Sequence, residues 1–148
     1  MGSHFIKYIL TKYPDYRVVN FDVLTYAGNL NNLKEVAENP RYKFVQGDIA
    51  DPLMITKTVK ENNITVIVNY AAETHVDRSI MDPEAFLRTG IFGTRNLLEV
   101  TKNENLQKMV QISTDEVFGS IELGEFTEES AFAPNSPYAA SKAGADLL

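Results

Sequence analysis

The sequence predicts an α/β fold in which a doubly wound parallel sheet is covered by helices on both faces. Apolar residues along the 148-residue chain recur alternately at helical spacing and in short β-branched runs. The helical stretches are long enough to serve as crossovers, which connect parallel strands. No repeat or low-complexity tract divides the chain. We therefore expect residues 1–148 to form one domain, or part of one.

The first half of the chain alternates helix and strand twice. Apolar residues between positions 5 and 10 have helical spacing, and Pro14 ends that pattern. Residues 17–22 form a β-branched run that is typical of a strand. Residues 30–37 favour a short helix, and residues 42–45 alternate as a second strand.

The second half repeats this alternation, and Asp-Pro pairs mark two helix starts. Asp51-Pro52 supplies an N-cap and a first-turn proline for a helix that we expect to end near residue 62. Residues 64–68 form the third strand. Asp82-Pro83 begins one further helix, whose apolar residues continue to position 98, and residues 109–112 form the fourth strand.

The last part of the chain combines a loop with a helix. Residues 121–135 are rich in Gly, Glu and Ser and predict a surface loop. A final helix is expected to begin near Pro137 and to reach the C-terminus without a stop signal. Because the chain also opens directly in a helix, we expect the fold to be incomplete at both ends.

The composition and charge exclude several functional classes. Lys and Arg number 14 against 20 Asp and Glu, and the net charge of -6 has the wrong sign for binding nucleic acid or an anionic membrane. The chain has no Cys and only two His, so disulfides, a thiol nucleophile and a multi-histidine metal site are excluded. No apolar run approaches the roughly 20 residues of a membrane span. We expect a cytoplasmic protein without a metal site.

Polar residues after the strands are the first candidates for a binding site, because doubly wound sheets bind ligands at the carboxyl ends of their strands. Asp22 ends a strand 20 positions after Gly2, a distance typical of an acidic residue that binds the adenosine ribose of NAD. Asp48 and Ile49 follow the second strand in the same way. For both aspartates the alternative is a turn role, such as an Asx turn after Gly47.

Two neighbouring segments follow the third strand. Residues 69–74 include Ala71 and Ala72, whose small side chains allow either a flat cofactor or a packed helix to approach the backbone. Residues 75–79 combine a histidine with charged side chains. They predict either a surface loop of ion pairs or a catalytic His75, and the residues alone favour the loop.

The end of the fourth strand carries the most specific pattern. The segment Ser113-Thr-Asp-Glu116 follows that strand, and Tyr138 and Lys142 lie four residues apart at the start of the last helix. This spacing puts both side chains on one helix face, where an ammonium lowers the pKa of a phenol by stabilising the phenolate. The result is a tyrosine base that can act near neutral pH. A hydroxyl at Thr114 can hydrogen-bond the same substrate oxygen.

These segments resemble the extended short-chain dehydrogenase/reductase superfamily and, within it, the dTDP-glucose 4,6-dehydratases. The resemblance covers nearly the whole chain, and it implies a Rossmann-type NAD-binding domain. It rests on Gly-Ser-His-Phe at 2–5, Thr-Tyr-Ala-Gly-Asn-Leu at 25–30, Gly-Asp-Ile at 47–49, Ala-Ala-Glu-Thr-His-Val-Asp-Arg-Ser at 71–79, Ser-Thr-Asp-Glu-Val at 113–117, Pro-Asn-Ser-Pro-Tyr at 134–138 and Ser-Lys at 141–142.

The resemblance implies an NAD-linked cycle that dehydrates dTDP-glucose to its 4-keto-6-deoxy product. Tyr138 would deprotonate the C4 hydroxyl, with Lys142 tuning it and Thr114 orienting the sugar. Asp115 would protonate the departing C6 hydroxyl, while Glu116 would remove the C5 proton. Thr74 and Thr114 would reach the substrate. The positions that would contact NAD are Asp22, Val23, Leu24, Thr25, Asp48, Ile49, Tyr70, Ala71, Ala72, Thr74, Thr89, Tyr138 and Lys142.

The chain also departs from the family pattern. Only Gly2 of the glycine-rich phosphate-binding turn is present, the strand before that turn and the C-terminal sugar-nucleotide domain are absent, and Gly90 replaces the usual Asn. We therefore expect a break in the sheet where that strand would be central, and no turnover by the 148-residue chain alone.

Two other functions stay open at this point. One is another sugar-nucleotide short-chain dehydrogenase, such as a 4-epimerase or a decarboxylase, and the other is an inactive truncated remnant. The adjacent carboxylates Asp115 and Glu116 favour the dehydratase, because an epimerase needs no acid/base pair for dehydration. For a full-length form we expect a homodimer that binds a nucleotide sugar and NAD.

Overall fold

Helices and strands alternate along the chain, and the computed structural model describes all residues from Met1 to Leu148. The elements are α1 (Gly2–Lys12), β1 (Val18–Asp22), β2 (Tyr42–Gln46), α2 (Pro52–Glu61), β3 (Val66–Asn69), α3 (Val76–Met81), α4 (Pro83–Leu87), α5 (Thr94–Asn103), β4 (Lys108–Gln111) and α6 (Pro137–Asp146). Two 3₁₀ helices, Leu30–Val36 and Asp115–Phe118, and a π-helical turn, Arg88–Gly93, lie between them. No helix has the length and apolar character needed to cross a membrane.

The four strands form two separate parallel pairs. β1 pairs with β2 over five residues, and β3 pairs with β4 over four. No ladder joins the two pairs. The predicted α/β class with parallel strands is confirmed, and the sheet is broken as expected.

Each pair has two outer edges without a partner strand, one on each of its strands. The backbone hydrogen bonds at the two ends of β1, from the Val18 amide and to the Asp22 carbonyl, both run to the β2 side. Because alternate residues of a strand direct their backbone groups to opposite edges, those of Val19 and Phe21 point to the open edge. In β3 the corresponding residues are Val66 and Val68.

Two apolar clusters pack the helices against the strands. The smaller core cluster contains Ile6, Leu10 and Leu33, and it packs only against the β1–β2 side of the molecule. The larger core cluster packs against Phe21 of β1 and Ile67 of β3, so it joins the two strand pairs. Its five buried members are Ile49, Ile55, Val59, Leu97 and Val100.

The helix starts expected from the sequence are present. One carboxylate oxygen of Asp51 accepts the Leu53 and Met54 amides at 3.0 and 3.1 Å, which caps α2 ahead of its first-turn proline. The final helix begins in the same way, because the Ser136 hydroxyl accepts the Ala139 amide at 3.0 Å. The observed strands begin or end within two residues of the expected bounds.

The prediction of a surface loop for residues 75–79 is wrong. His75 is the N-cap of α3, and the following residues are helical. Ser79 is completely buried, and its hydroxyl donates to the Val76 carbonyl at 2.6 Å. This short helix is stabilised by packing against neighbouring elements, and its polar sequence alone therefore did not predict a helix.

The single helix expected after Asp82-Pro83 is interrupted. α4 ends at Leu87, and the π-helical turn separates it from α5. Gly90 and Gly93 are buried in this turn, and a Cβ on Gly93 would lie 2.5 Å from the Ile49 side chain. Such close approach is a tertiary contact, which helical periodicity does not encode.

The chain between residues 119 and 136 has no helix or strand and is mostly exposed, as predicted. It does not extend away from the domain. The Phe118 ring lies 5.5 Å from that of Phe126 and 5.6 Å from that of Phe132, centroid to centroid. These contacts fold the loop back onto the 3₁₀ helix Asp115–Phe118.

Candidate active site

The segment after β4 brings a hydroxyl and two carboxylates together. Thr114 is the N-cap of a 3₁₀ helix: its Oγ1 accepts the Glu116 amide and donates to Asp115 Oδ1, both at 3.3 Å. Asp115 is exposed, whereas Glu116 is half-buried. The two acids therefore occupy different environments, which is a condition for acting as an acid and a base.

α6 packs against this segment and carries the tyrosine–lysine pair. Ser136 caps the helix one residue before Pro137, which fixes the first turn where Tyr138 lies half-buried. The Lys142 ammonium is buried and donates a hydrogen bond to the carbonyl of Ile112 at the end of β4. No hydrogen bond joins the lysine to the Tyr138 hydroxyl, so the predicted pair shares a helix face without direct contact.

The surroundings of Lys142 affect its protonation. Burial lowers the pKa of the Lys142 ammonium below its ordinary value, and the Asp146 carboxylate one turn further along α6 partly opposes this effect. Asp146 also accepts a hydrogen bond from the Ser113 hydroxyl, which ties the end of α6 to the end of β4. The sequence analysis missed Asp146, although its spacing of four residues from Lys142 is a detectable signal.

The π-helical turn lies against the tyrosine helix. A Cβ on Gly90 would be 3.2 Å from both Cβ and Oγ of Ser141, so the absence of a side chain allows this approach. Thr89 is half-buried in the same turn. The ring of Phe86 packs edge-on against that of Tyr138, with 6.3 Å between the centroids. These contacts hold the tyrosine helix near the candidate cofactor residue Thr89.

Four of the predicted cofactor residues lie at the end of β1 and in the loop that follows, and one of them, Leu24, has a strained backbone conformation. Leu24 has a φ of 57°, and its amide donates to Asp22 Oδ1 at 2.7 Å. Thr25 is exposed, and its carbonyl accepts the Gly28 amide at 2.9 Å. Val23 is exposed as well. The Asx-turn role considered from sequence is thus present at Asp22, and its second carboxylate oxygen has no protein partner.

The loop after β2 contains an ion pair that sequence reasoning missed. Asp48 Oδ1 accepts the Ala50 amide at 2.8 Å, and Oδ2 accepts from Arg88 at 3.0 Å. Ile49 is buried in the larger core cluster, and its carbonyl already accepts a hydrogen bond from Asn96. The 40 residues between Asp48 and Arg88 explain why no local pattern predicts their contact.

The segment after β3 turns towards α1 and α3. The Tyr70 ring lies 5.4 Å from that of Phe5, and a Cβ on Gly2 would contact Tyr70 at 3.5 Å. The Ala71 amide donates to Asn69 at 3.1 Å, which begins a turn. Ala72 is half-buried and Thr74 is exposed just before α3.

The loop geometry fits the adenosine end of a dinucleotide such as NAD. The free carboxylate oxygen of Asp22 can accept a hydrogen bond from a ribose hydroxyl. Ala71 and Ala72, after β3, have small side chains that leave room for a cofactor at the end of that strand. The buried ammonium of Lys142 keeps hydrogens for a second acceptor. The chain contains no group of three acidic or histidine side chains arranged to hold a metal ion.

Comparisons with known proteins identify the family of the chain. The family model described as GDP-mannose 4,6 dehydratase matches residues 1–148. The low-salt glycan biosynthesis protein Agl12 of Haloferax volcanii is 47% identical over 148 residues, and the match covers 100% of this chain and 47% of that protein. The chain thus spans about half the length of this curated relative.

Solved structures agree with this assignment. A dTDP-glucose 4,6-dehydratase from Bacillus anthracis, in complex with NAD, is 48% identical, with a TM-score of 0.88 over 99% of this chain and 44% of that chain. The dTDP-glucose 4,6-dehydratase DesIV from Streptomyces venezuelae, with NAD bound, is 47% identical, with a TM-score of 0.93 over 99% of this chain and 46% of that chain. The Rossmann-type fold is confirmed, and the chain belongs to the GDP-mannose 4,6 dehydratase family.

Proposed function

We propose that this chain is the cofactor-binding and catalytic part of an NAD-dependent nucleotide-sugar 4,6-dehydratase that acts on dTDP-glucose. The observation that supports it best is the packing of α6, with Tyr138 and Lys142, against the Thr114-Asp-Glu116 segment at the end of β4. This packing supports a site in which a base for alcohol oxidation and two carboxylates for elimination act at the same end of the strands. The solved dTDP-glucose 4,6-dehydratases at 47–48% identity support the choice of substrate.

The chain's own residues divide the proton transfers among them. Tyr138 removes the proton of the C4 hydroxyl, and the nearby ammonium of Lys142 stabilises the phenolate. Glu116 removes the C5 proton, which the new C4 ketone has made acidic, and the exposed Asp115 protonates the departing C6 oxygen as water. Thr114 orients the sugar. Bound NAD would supply hydride uptake from C4 and hydride return to C6, and Glu116 returns its proton to C5.

The cofactor and substrate contacts follow the family pattern. The proposed NAD contacts are Asp22, Val23, Leu24, Thr25, Asp48, Ile49, Tyr70, Ala71, Ala72, Thr74, Thr89, Tyr138 and Lys142, and the proposed substrate contacts are Thr74 and Thr114. Residues 1–148 correspond to a partial NAD-binding domain. In this proposal a sugar-nucleotide domain completes the active protein, which acts as a homodimer in the cytoplasm.

Another sugar-nucleotide dehydrogenase activity, such as 4-epimerisation or decarboxylation, is the second candidate. The adjacent acids Asp115 and Glu116 favour dehydration over both, because only elimination of water needs an acid and a base at neighbouring carbons. An inactive truncated remnant is the third candidate.

The test uses a chimaera in which this chain replaces the matched segment of the Streptomyces venezuelae dehydratase. We expect the chimaera to convert dTDP-glucose into a 4-keto-6-deoxy sugar. In the Glu116→Gln variant, bound NAD becomes reduced on substrate addition but little product forms. In Tyr138→Phe, reduction itself slows by about 10²- to 10⁴-fold, the usual contribution of a general base.

Single-turnover absorbance of reduced nicotinamide, read beside product formation, distinguishes these outcomes. Glu99→Gln, an exposed glutamate on α5, is the matched control and retains turnover. A chimaera that forms neither reduced cofactor nor product contradicts the proposed function. Undiminished dehydration by Glu116→Gln would show that Glu116 is not the C5 base.

A further inference from the structure

The loop that presents Asp22 needs support from outside itself. Leu24 adopts a left-handed conformation, which is unfavourable for a side chain of its size. Gly28 packs directly on it, since a Cβ at this position would lie 2.7 Å from Leu24 Cα. A strained conformation persists only where the surrounding structure fixes it.

An aromatic–arginine contact connects this loop to α3. The Arg78 guanidinium carbon lies 3.8 Å from the centroid of the Tyr26 ring, well within the range of a cation–π interaction. The His75 ring lies 5.6 Å from the same ring. His75 and Arg78 are three residues apart at the start of α3 and therefore lie on one face. Two side chains of α3 thus hold one tyrosine of the loop.

The contact closes one side of a cavity. The cavity has a volume of about 570 Å³ and lies between the loop and helices α3 and α4. Thr25 and Tyr26 line its loop side, and Phe86, which packs on the Tyr138 ring, lines its helix side. Movement of the loop would therefore alter both the proposed ribose site and the loop side of this cavity.

We propose that Arg78 is a positioning residue, which holds residues 22–28 through Tyr26 in the conformation that offers Asp22 and Thr25 to the adenosine ribose of the cofactor. This inference rests on the proposed function for the identity of the ligand. The contact between Arg78 and Tyr26, which we call the clamp, is present within the 148 residues and does not depend on a ligand. The sequence analysis offered two interpretations of residues 75–79, a surface loop and a catalytic His75. The proposal gives this segment a third role, which is to position the loop that follows β1.

The clamp is tested by amide hydrogen exchange of the chain, followed by NMR. The Leu24 and Gly28 amides are hydrogen-bonded within the loop, to Asp22 and Thr25, and report its order. Removing the cation–π contact in Arg78→Met or Tyr26→Leu should speed their exchange about two- to fivefold, the factor that corresponds to an exposed contact of this kind. Tyr26→Phe keeps the ring and should leave the exchange unchanged.

Arg95→Met is the matched control, because Arg95 is an exposed arginine on α5 far along the chain from the loop. Unchanged exchange in both Arg78→Met and Tyr26→Leu would overturn the clamp. Equal acceleration throughout the chain, including α2, would show general destabilisation instead and would also overturn it. Each outcome is measurable without any cofactor.

The cofactor role is tested separately in the dehydratase chimaera. Arg78→Met should raise the Kd for NAD and for ADP-ribose by the same factor of about two to five, while affinity for nicotinamide mononucleotide stays constant. If the unsubstituted chimaera fails to bind NAD, the proposed function fails while the exchange experiment still decides the clamp. Faster loop exchange with unchanged affinity for NAD would overturn the role of Arg78 in cofactor binding.

Discussion

The two strand pairs have the same parallel geometry, but they are held in different ways. The β1–β2 pair is packed on both faces: the smaller core cluster covers one, and Phe21 reaches the larger core cluster on the other. The β3–β4 pair packs against the larger core cluster, and Tyr70, which directly follows β3, contacts Gly2 and Phe5 of α1. Since no hydrogen bond of a ladder crosses between the pairs, side-chain packing of one layer determines their relative position.

The largest effect should come from removing a side chain that both pairs share. Leu97 is 5% exposed in the larger core cluster, and Leu97→Ala should lower the free energy of unfolding by about 2–5 kcal/mol. Leu10 is equally buried but belongs to the three-residue cluster, and Leu10→Ala should fall at the lower end of that range. Chemical denaturation followed by circular dichroism measures both. A larger loss for Leu10→Ala would show that the smaller cluster is the one that holds the fold.

A smaller loss is expected from overpacking at a glycine. A Cβ on Gly93 would lie 2.5 Å from the Ile49 side chain in the larger core cluster, so Gly93→Ala should cost about 1–3 kcal/mol of stability. Gly2 offers a control, because its added Cβ would make ordinary contacts with Tyr70 at 3.5 Å or more. Thermal unfolding of the two variants compares them directly. Equal stability of Gly93→Ala and the parent chain would indicate that Ile49 repacks freely.

Helix capping provides a weaker comparison of the two sides. Asp51 caps α2, which contributes Ile55 and Val59 to the larger core cluster, and Asp51→Ala should cost about 1 kcal/mol. Asn29 caps the 3₁₀ helix that contributes Leu33 to the smaller cluster, and its substitution by Ala should cost less, since this helix is short and exposed. Urea unfolding midpoints measure the difference. The reverse order would mean that the 3₁₀ helix contributes more to stability than α2 does.

The open edges predict an alternating pattern of amide exchange. In β1, the amides of Asn20 and Asp22 point to β2 and should be protected, whereas those of Val19 and Phe21 should exchange faster. NMR-detected exchange at neutral pH resolves single residues. Equal protection of all four amides would mean that another strand, from a second molecule, covers this edge.

The smallest effect is a pH dependence of stability that arises at Lys142. Burial lowers the folded-state pKa of this ammonium below the ordinary value of 10.5, so the unfolded chain binds the proton more tightly. The free energy of unfolding should therefore increase as the pH rises from the folded-state pKa of Lys142 towards 10.5, and below that range the full cost of burying the charged ammonium remains. The Lys142→Met variant should lack this increment. Parallel pH profiles of the two proteins would contradict the assignment.

The sequence by itself determined the positions of the four strands, two helix starts and the residues that follow the strand ends. Asp51-Pro52 and Ser136-Pro137 specify helix starts through local hydrogen bonds, which depend on neighbouring residues alone. The β-branched runs identified all four strands within two residues of their bounds. The motif after β4 and the Tyr138–Lys142 spacing identified segments that pack against each other, since Lys142 of α6 donates a hydrogen bond to the Ile112 carbonyl at the end of β4.

Only the tertiary structure decided the contacts that join distant segments. Arg88 and Asp48 are 40 residues apart, and Tyr26 and Arg78 lie on different elements, so no local periodicity relates them. The π-helical turn follows from close packing of Ile49 and Ser141 against two glycines, and the helix at residues 76–81 follows from the burial of Ser79. Local sequence fixes backbone preferences of a few residues, whereas close approach between elements depends on how the whole chain fills its core.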